Sequence, residues 1–173
     1  MGRPRRPCDR PRGVADYEGV DMVERTTTPA AVTWLTEARA DVRGALAAWD
    51  RGDLAPVPVG HAWAVVRLPQ RLGWLTIRRL RATGAPLGPV LHTETHVLVL
   101  IPPAAAGSWY APQTTTLGRG DYIAAPDPAV TAPRTTRARS WIVAPTHPLL
   151  LTDPGDLHTA YQAACEALKG AAT

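Results

Sequence analysis

Phenylalanine is absent from the 173 residues, and of the 19 lysines and arginines only Lys169 is a lysine. Aromatic burial therefore falls to six tryptophans and four tyrosines, and positive charge is carried by guanidinium groups. We attribute the arginine bias to a GC-rich genome more than to function. Two cysteines, Cys8 and Cys165, are too few for a disulfide framework or a cysteine zinc site, so both are expected as free thiols. The longest apolar run, 97–107, is interrupted by Pro102 and Pro103 and falls short of the ~18 residues of a spanning helix. Membrane insertion is not expected. No apolar stretch follows the basic N-terminus, which speaks against a secretory signal and makes the cytoplasm the expected compartment. No glycine-rich phosphate loop occurs, and Ser108 and Ser140 lack the glycine context of a nucleophile elbow.

What is present is a chain with 45% hydrophobic and 20% charged residues, the composition of a globular protein. Its length suits one domain. Residues 1–13 set Arg3, Arg5, Arg6, Arg10 and Arg12 among three prolines with nothing apolar to bury, and are expected as a disordered basic arm able to contact phosphates. Residues 14–173 are expected to form the domain.

Helical signals begin at Thr28 and Pro29, a capping residue followed by proline at the first helical position. Val32, Leu35, Val42, Leu46 and Trp49 then recur at helical spacings, as one helix or as two with Asp41 as a second cap. Residues 61–69 have the β-branched content of a buried strand, and 70–83 switch to helical spacing up to Gly84. On that helix Leu72, Trp74, Ile77 and Leu80 share the expected core side, and Arg71 and Arg78 the other. With 87–91 this makes a strand–helix–strand unit. Further strands are expected at 96–101, 121–125 and 140–144, with loops at 102–118 and 126–139, and a last helix capped at Asp153-Pro154 with Leu157, Ala160, Tyr161, Ala164 and Leu168 on its core face. The expected fold class is α+β, a mixed sheet flanked by helices.

His92, Glu94 and His96 form the densest group of metal-capable side chains. On one strand they would share a face, with neighbours about 6.6 Å apart. Zinc would need further ligands from elsewhere. An alternating polar face before a buried strand explains the group without any ligand, and is the preferred reading. Arg119, between two glycines, could meet a phosphate, and Arg134, Arg137 and Arg139 make the loop before the last strand basic. Trp109, in a loop, is the tryptophan placed for base stacking; the others fall mostly on core-type positions.

The succession of strings over residues 26–145 resembles a known family. A Thr-x-Pro start of a Trp-bearing helix is followed by VVRLP, a helix and GAPLGPVL, then by HVLVLIPP, GRGDYIAAPDP and SWIVAP. In this order it is similar to the bifunctional primase-polymerase (prim-pol) domain of the archaeo-eukaryotic primase superfamily, especially its actinobacterial forms. The resemblance implies an RRM-related core and a nucleotide or template groove. The family's first motif, two aspartates one residue apart, falls on Val66, Arg67 and Leu68. Its second ends in a histidine, matched by His96, and its acidic third falls on Thr115, Thr116 and Leu117. Asp121 is nearby, in the turn. Nucleotidyl transfer needs carboxylates to hold two divalent ions, and an arginine in their place repels such ions.

The expected function is therefore that of a prim-pol-like domain without catalysis, an accessory in DNA replication or its regulation that binds DNA, RNA or a nucleoside triphosphate and needs no cofactor. Arg67, Arg78, Arg119, Arg134, Arg137 and Arg139 are the candidate phosphate contacts, and His96 is a catalytic remnant. One alternative is a metal-dependent nucleotidyl-transfer enzyme with magnesium or manganese in a remodelled site built from His92, Glu94, His96 and Asp121. Another is a protein-interaction domain whose ancestral site is filled and whose Pro-rich loops hold a partner.

Overall fold

Proline at a helix's first position costs no hydrogen bond, because that N–H has no intrahelical acceptor. Pro29 uses this freedom to open helix α1, Pro29–Glu37, behind Thr28. The Asp41 carboxylate accepts from the Gly44 N–H at 3.1 Å and starts a second short helix, α2, Val42–Asp50, so the apolar stripe is divided between two helices. The computed structural model describes residues 28–170. The basic arm 1–13, Cys8 and residues 14–27 lie outside that range.

The elements that follow are β1 (Ala55–Pro58), β2 (Ala64–Pro69), α3 (Gln70–Thr83), β3 (Val90–His92), β4 (His96–Ile101), a single 3-10 turn (Pro103–Ala105), β5 (Thr115–Leu117), β6 (Tyr122–Ala125), β7 (Ser140–Val143) and α4 (Pro154–Gly170). Gly84, at φ 71°, ends α3 in the left-handed region that glycine enters without steric cost. Asp153 caps α4, its Oδ1 accepting from the N–H groups of Gly155 and Asp156.

The class is α+β, as expected, and its sheets are antiparallel where a mixed sheet was expected. Five strands run in the order β5-β2-β4-β3-β7, and β1 pairs with β6 in a separate ribbon. Both β2 and β3 are antiparallel to β4, which lies between them. The strand–helix–strand unit is thus split: β2 and β3 point the same way and never touch. A short α3 crossover accommodates this, since the gap it spans is filled by the following hairpin strand.

Alternation along β4 sends Val97, Val99 and Ile101 to one side of the sheet and Leu98 and Leu100 to the other. The first side is sealed by α3 and α4 through Leu72, Ile77, Leu80, Leu157 and Tyr161. The second meets α1, α2 and the β1–β6 ribbon through Trp34, Trp49, Trp63 and Trp141. The Trp34 and Trp63 rings stack at 5.3 Å and 8°, and Trp141 meets Trp34 edge-on at 5.5 Å. Such pairs add about 0.5–1.5 kcal/mol beyond area burial. Tryptophan here takes the volume that phenylalanine fills elsewhere.

Several local expectations are corrected. His61 and Ala62 are a bend and Trp63 precedes the strand, which starts at Ala64, and the strand expected at 87–91 begins at Val90. β1 carries Pro56 and Pro58, which a two-stranded ribbon tolerates because half its N–H groups face no partner. β5 lies inside the expected loop 102–118. Trp74 does not share the core side of α3: it is 38% exposed, while Gly73 and Thr76 are buried in its stead.

Candidate functional site

The helices and ribbon on the tryptophan side do not cover the whole sheet. Between β2, β4, β5 and β6 a cleft of about 310 Å³ stays open. Arg67 and His96 enter it from neighbouring strands: β2 and β4 register with Arg67 opposite Leu98 and Pro69 opposite His96, so both side chains project from the same face. Leu98, Leu117, Tyr122, Ile123 and Ala124 also line it, and Arg139 reaches it from the segment before β7. Thr93 and Thr95 line it at the β3–β4 turn.

That turn is tied by the Thr93 hydroxyl, which donates to the His96 carbonyl and accepts from the His96 N–H, both at 3.0 Å. Thr95 Oγ1 lies 2.7 Å from His96 Nδ1 and fixes the ring. Arg139 donates through Nη1 to the Ala124 carbonyl at 2.7 Å, which spends one of its five donors. Among the described residues no carboxylate pairs with Arg67 or Arg139, and none lines the cleft. Burial, and then the charge of Arg67, push the His96 imidazole below its ordinary pKa. Burial also lowers Arg139, which stays charged at any physiological pH. Two guanidinium groups and a neutral imidazole therefore face one small cavity.

Such a lining suits an anion. A phosphate can take parallel N–H bonds from a guanidinium fork and offset the repulsion between Arg67 and Arg139. It does not suit magnesium or manganese, which want carboxylate oxygens. His92, Glu94 and His96 do not share one strand face. His92 ends β3, Glu94 stands exposed in the turn, and His96 begins β4 on the opposite side of the sheet from His92. His92 is taken up by Gln70 Nε2 at 2.9 Å and by the Trp74 ring. Asp121 spends its carboxylate on the Gly118 N–H at 2.8 Å. Among the described residues no three histidine, cysteine, aspartate or glutamate side chains could hold a metal together.

Of six candidate arginines the fold brings two together, Arg67 and Arg139. Arg137 is paired with Asp53, its Nε donating to Oδ1 at 2.9 Å. Arg134 is exposed and bonded to the Ala129 carbonyl, and Arg119 is exposed in the turn that Gly60 contacts at φ 89°. Arg78 lies on α3, across the sheet from the cleft. Trp109 lies in a separate hollow with His158, its Nε1 donating to Thr114 Oγ1 at 2.9 Å. The free aromatic ring in the cleft wall is Tyr122, 63% exposed, which our sequence reading missed. The Gly-Arg-Gly-Asp turn immediately before it was the available signal.

No family model, curated protein or solved structure matches the chain. Among the described residues no helix is long and apolar enough to cross a membrane. Cys165 is a free thiol, half-buried on α4.

Proposed function

We propose that this chain is a prim-pol-like accessory domain that binds a nucleotide in the Arg67–His96–Arg139 cleft without turning it over, and that it acts in the cytoplasm, in DNA replication or its regulation. The observation that carries the reading is the meeting of Arg67 and His96, which stand at the first and second motif positions of the resembled family, in one cleft lined by no carboxylate among the described residues. Leu117, from the third motif position, lines the same cleft. The phosphates rest on Arg67 and Arg139, and the base lies on the exposed Tyr122 ring. Guanidinium groups take the place of metal ions, so binding needs no divalent cation.

The test is titration with a fluorescent nucleoside triphosphate in the presence of EDTA, beside primer extension with magnesium or manganese. Binding should persist in EDTA and weaken about tenfold or more in Arg67→Ala, the scale of a lost charge-assisted hydrogen bond. No extension is expected. Equal binding by Arg67→Ala, or extension that disappears in His96→Ala, overturns the reading.

A further inference from the structure

Helix α3 carries a second basic surface that has no part in the cleft. Arg71, Trp74, Arg78 and Arg81 follow one another at spacings of three, four and three, which places them within an arc of about 80° along about 15 Å of helix. All four are exposed, on the side away from the buried Leu72, Thr76, Ile77 and Leu80. The helix contains no aspartate or glutamate, and among the described residues none of its arginines enters an ion pair. Arg81 makes only a long 3.4 Å bond to the Ile142 carbonyl. Arg79 points elsewhere, into a hollow it shares with Asp156 of α4, and is not part of the row.

A solvated helix face needs no indole at its centre. Trp74 is 38% exposed, and its ring rests at 5.4 Å and 48° against His92, which Gln70 holds in turn. The indole is propped by His92 and stands between Arg71 and Arg78 in the row. Cations spaced along a line with an aromatic ring among them match a chain of phosphates bearing unpaired bases: the charges follow the backbone and one base stacks on the ring. In a duplex the bases are stacked on each other and offer no face to an indole.

We propose that the Arg71–Trp74–Arg78–Arg81 row binds a single-stranded polynucleotide, on the opposite side of the sheet from the nucleotide cleft. It is independent of the cleft reading. The probe is a labelled oligothymidylate, titrated with the full chain by fluorescence anisotropy across a salt series. Arg71→Ala/Arg78→Ala/Arg81→Ala should weaken binding about tenfold or more at ~100 mM salt and flatten the log–log salt slope by about 2, at ~0.7 per phosphate on single strands. Trp74→Ala should lose about fivefold or more with the slope kept, and Trp74→Phe should retain most of the affinity. Arg67→Ala should still bind the strand. Affinity and slope unchanged in the triple variant overturn the proposal, as does a duplex of equal length that binds as tightly, or a preference for anionic vesicles over the strand. Strand binding without triphosphate binding would leave this surface standing and remove the cleft reading.

Discussion

At Arg67 the chain sets a guanidinium between two buried aliphatic residues, Val66 and Leu68, on an interior strand, and alternation sends it to the face of the sheet that carries the cleft. Burial of His96, and then the charge of Arg67, push that imidazole below its ordinary pKa and favour its neutral form. A bound phosphate reverses the sign, because an anion favours the imidazolium, so binding takes up a proton. Affinity for a triphosphate should therefore rise as pH falls from 8 towards 6, more steeply in the wild type than in His96→Gln, whose remaining slope reports the titration of the ligand itself. Without ligand the linkage runs the other way. Below pH ~6.5 the unfolded chain binds a proton more readily than folded His96, so stability falls with acid, and His96→Gln should reduce that fall in denaturant titrations. If the base lies on Tyr122 as proposed, Tyr122→Ala should cost a nucleoside triphosphate about fivefold or more and leave inorganic triphosphate unchanged, with Tyr122→Phe close to wild type.

Helix α3 seals one of the two cores and carries the second basic surface, and Gly73 sets how close it sits to the sheet. A Cβ there would lie 2.6 Å from Val97 Cβ and 2.8 Å from its Cγ2, in a fully buried layer. Gly73→Ala should destabilise by about 1–3 kcal/mol in chemical denaturation, the cost of overpacking a stiff β-branched neighbour. A neutral result would mean that α3 rides farther from β4. At α2 the expected loss is smaller, about 1 kcal/mol for Asp41→Ala, since one capping bond is removed and nothing is buried. Elements with strong periodicity or explicit caps were legible: α3 up to Gly84, β4 and α4 lie where the pattern puts them. The proline-bearing β1 and the three-residue β5 were not, because each is held by its partner strand and carries too few residues for a pattern of its own.

Over the whole molecule the sheet separates two proposed binding faces, the cleft on the tryptophan side and the α3 row on the other. Sites on opposite faces that share no side chain should couple weakly. Saturating nucleoside triphosphate is expected to change oligothymidylate affinity less than twofold, and competition between the two in anisotropy titrations would show that one strand uses both surfaces. The formal net charge of +4 supplies a general attraction for polyanions, which salt screens, so differences between variants carry meaning only at matched salt.

The sequence by itself determined the α+β class, the limits of the main helices and the tryptophan-rich core, because these follow from local periodicity, capping and the volume of the side chains available. It also set Arg67 and His96 apart as residues worth following, through their places in a resembled pattern. Only the tertiary structure decided that they meet in one cleft. The insertion of β4 between β2 and β3 brings Arg67 beside His96 and puts His92 on the far side, and the β1–β6 ribbon brings in Tyr122. Arg137 and Arg139, two residues apart, part ways because one meets Asp53 and the other the Ala124 carbonyl at the cleft. Such outcomes depend on strand order and on partners distant in the chain, and nothing in a residue's near neighbours encodes them.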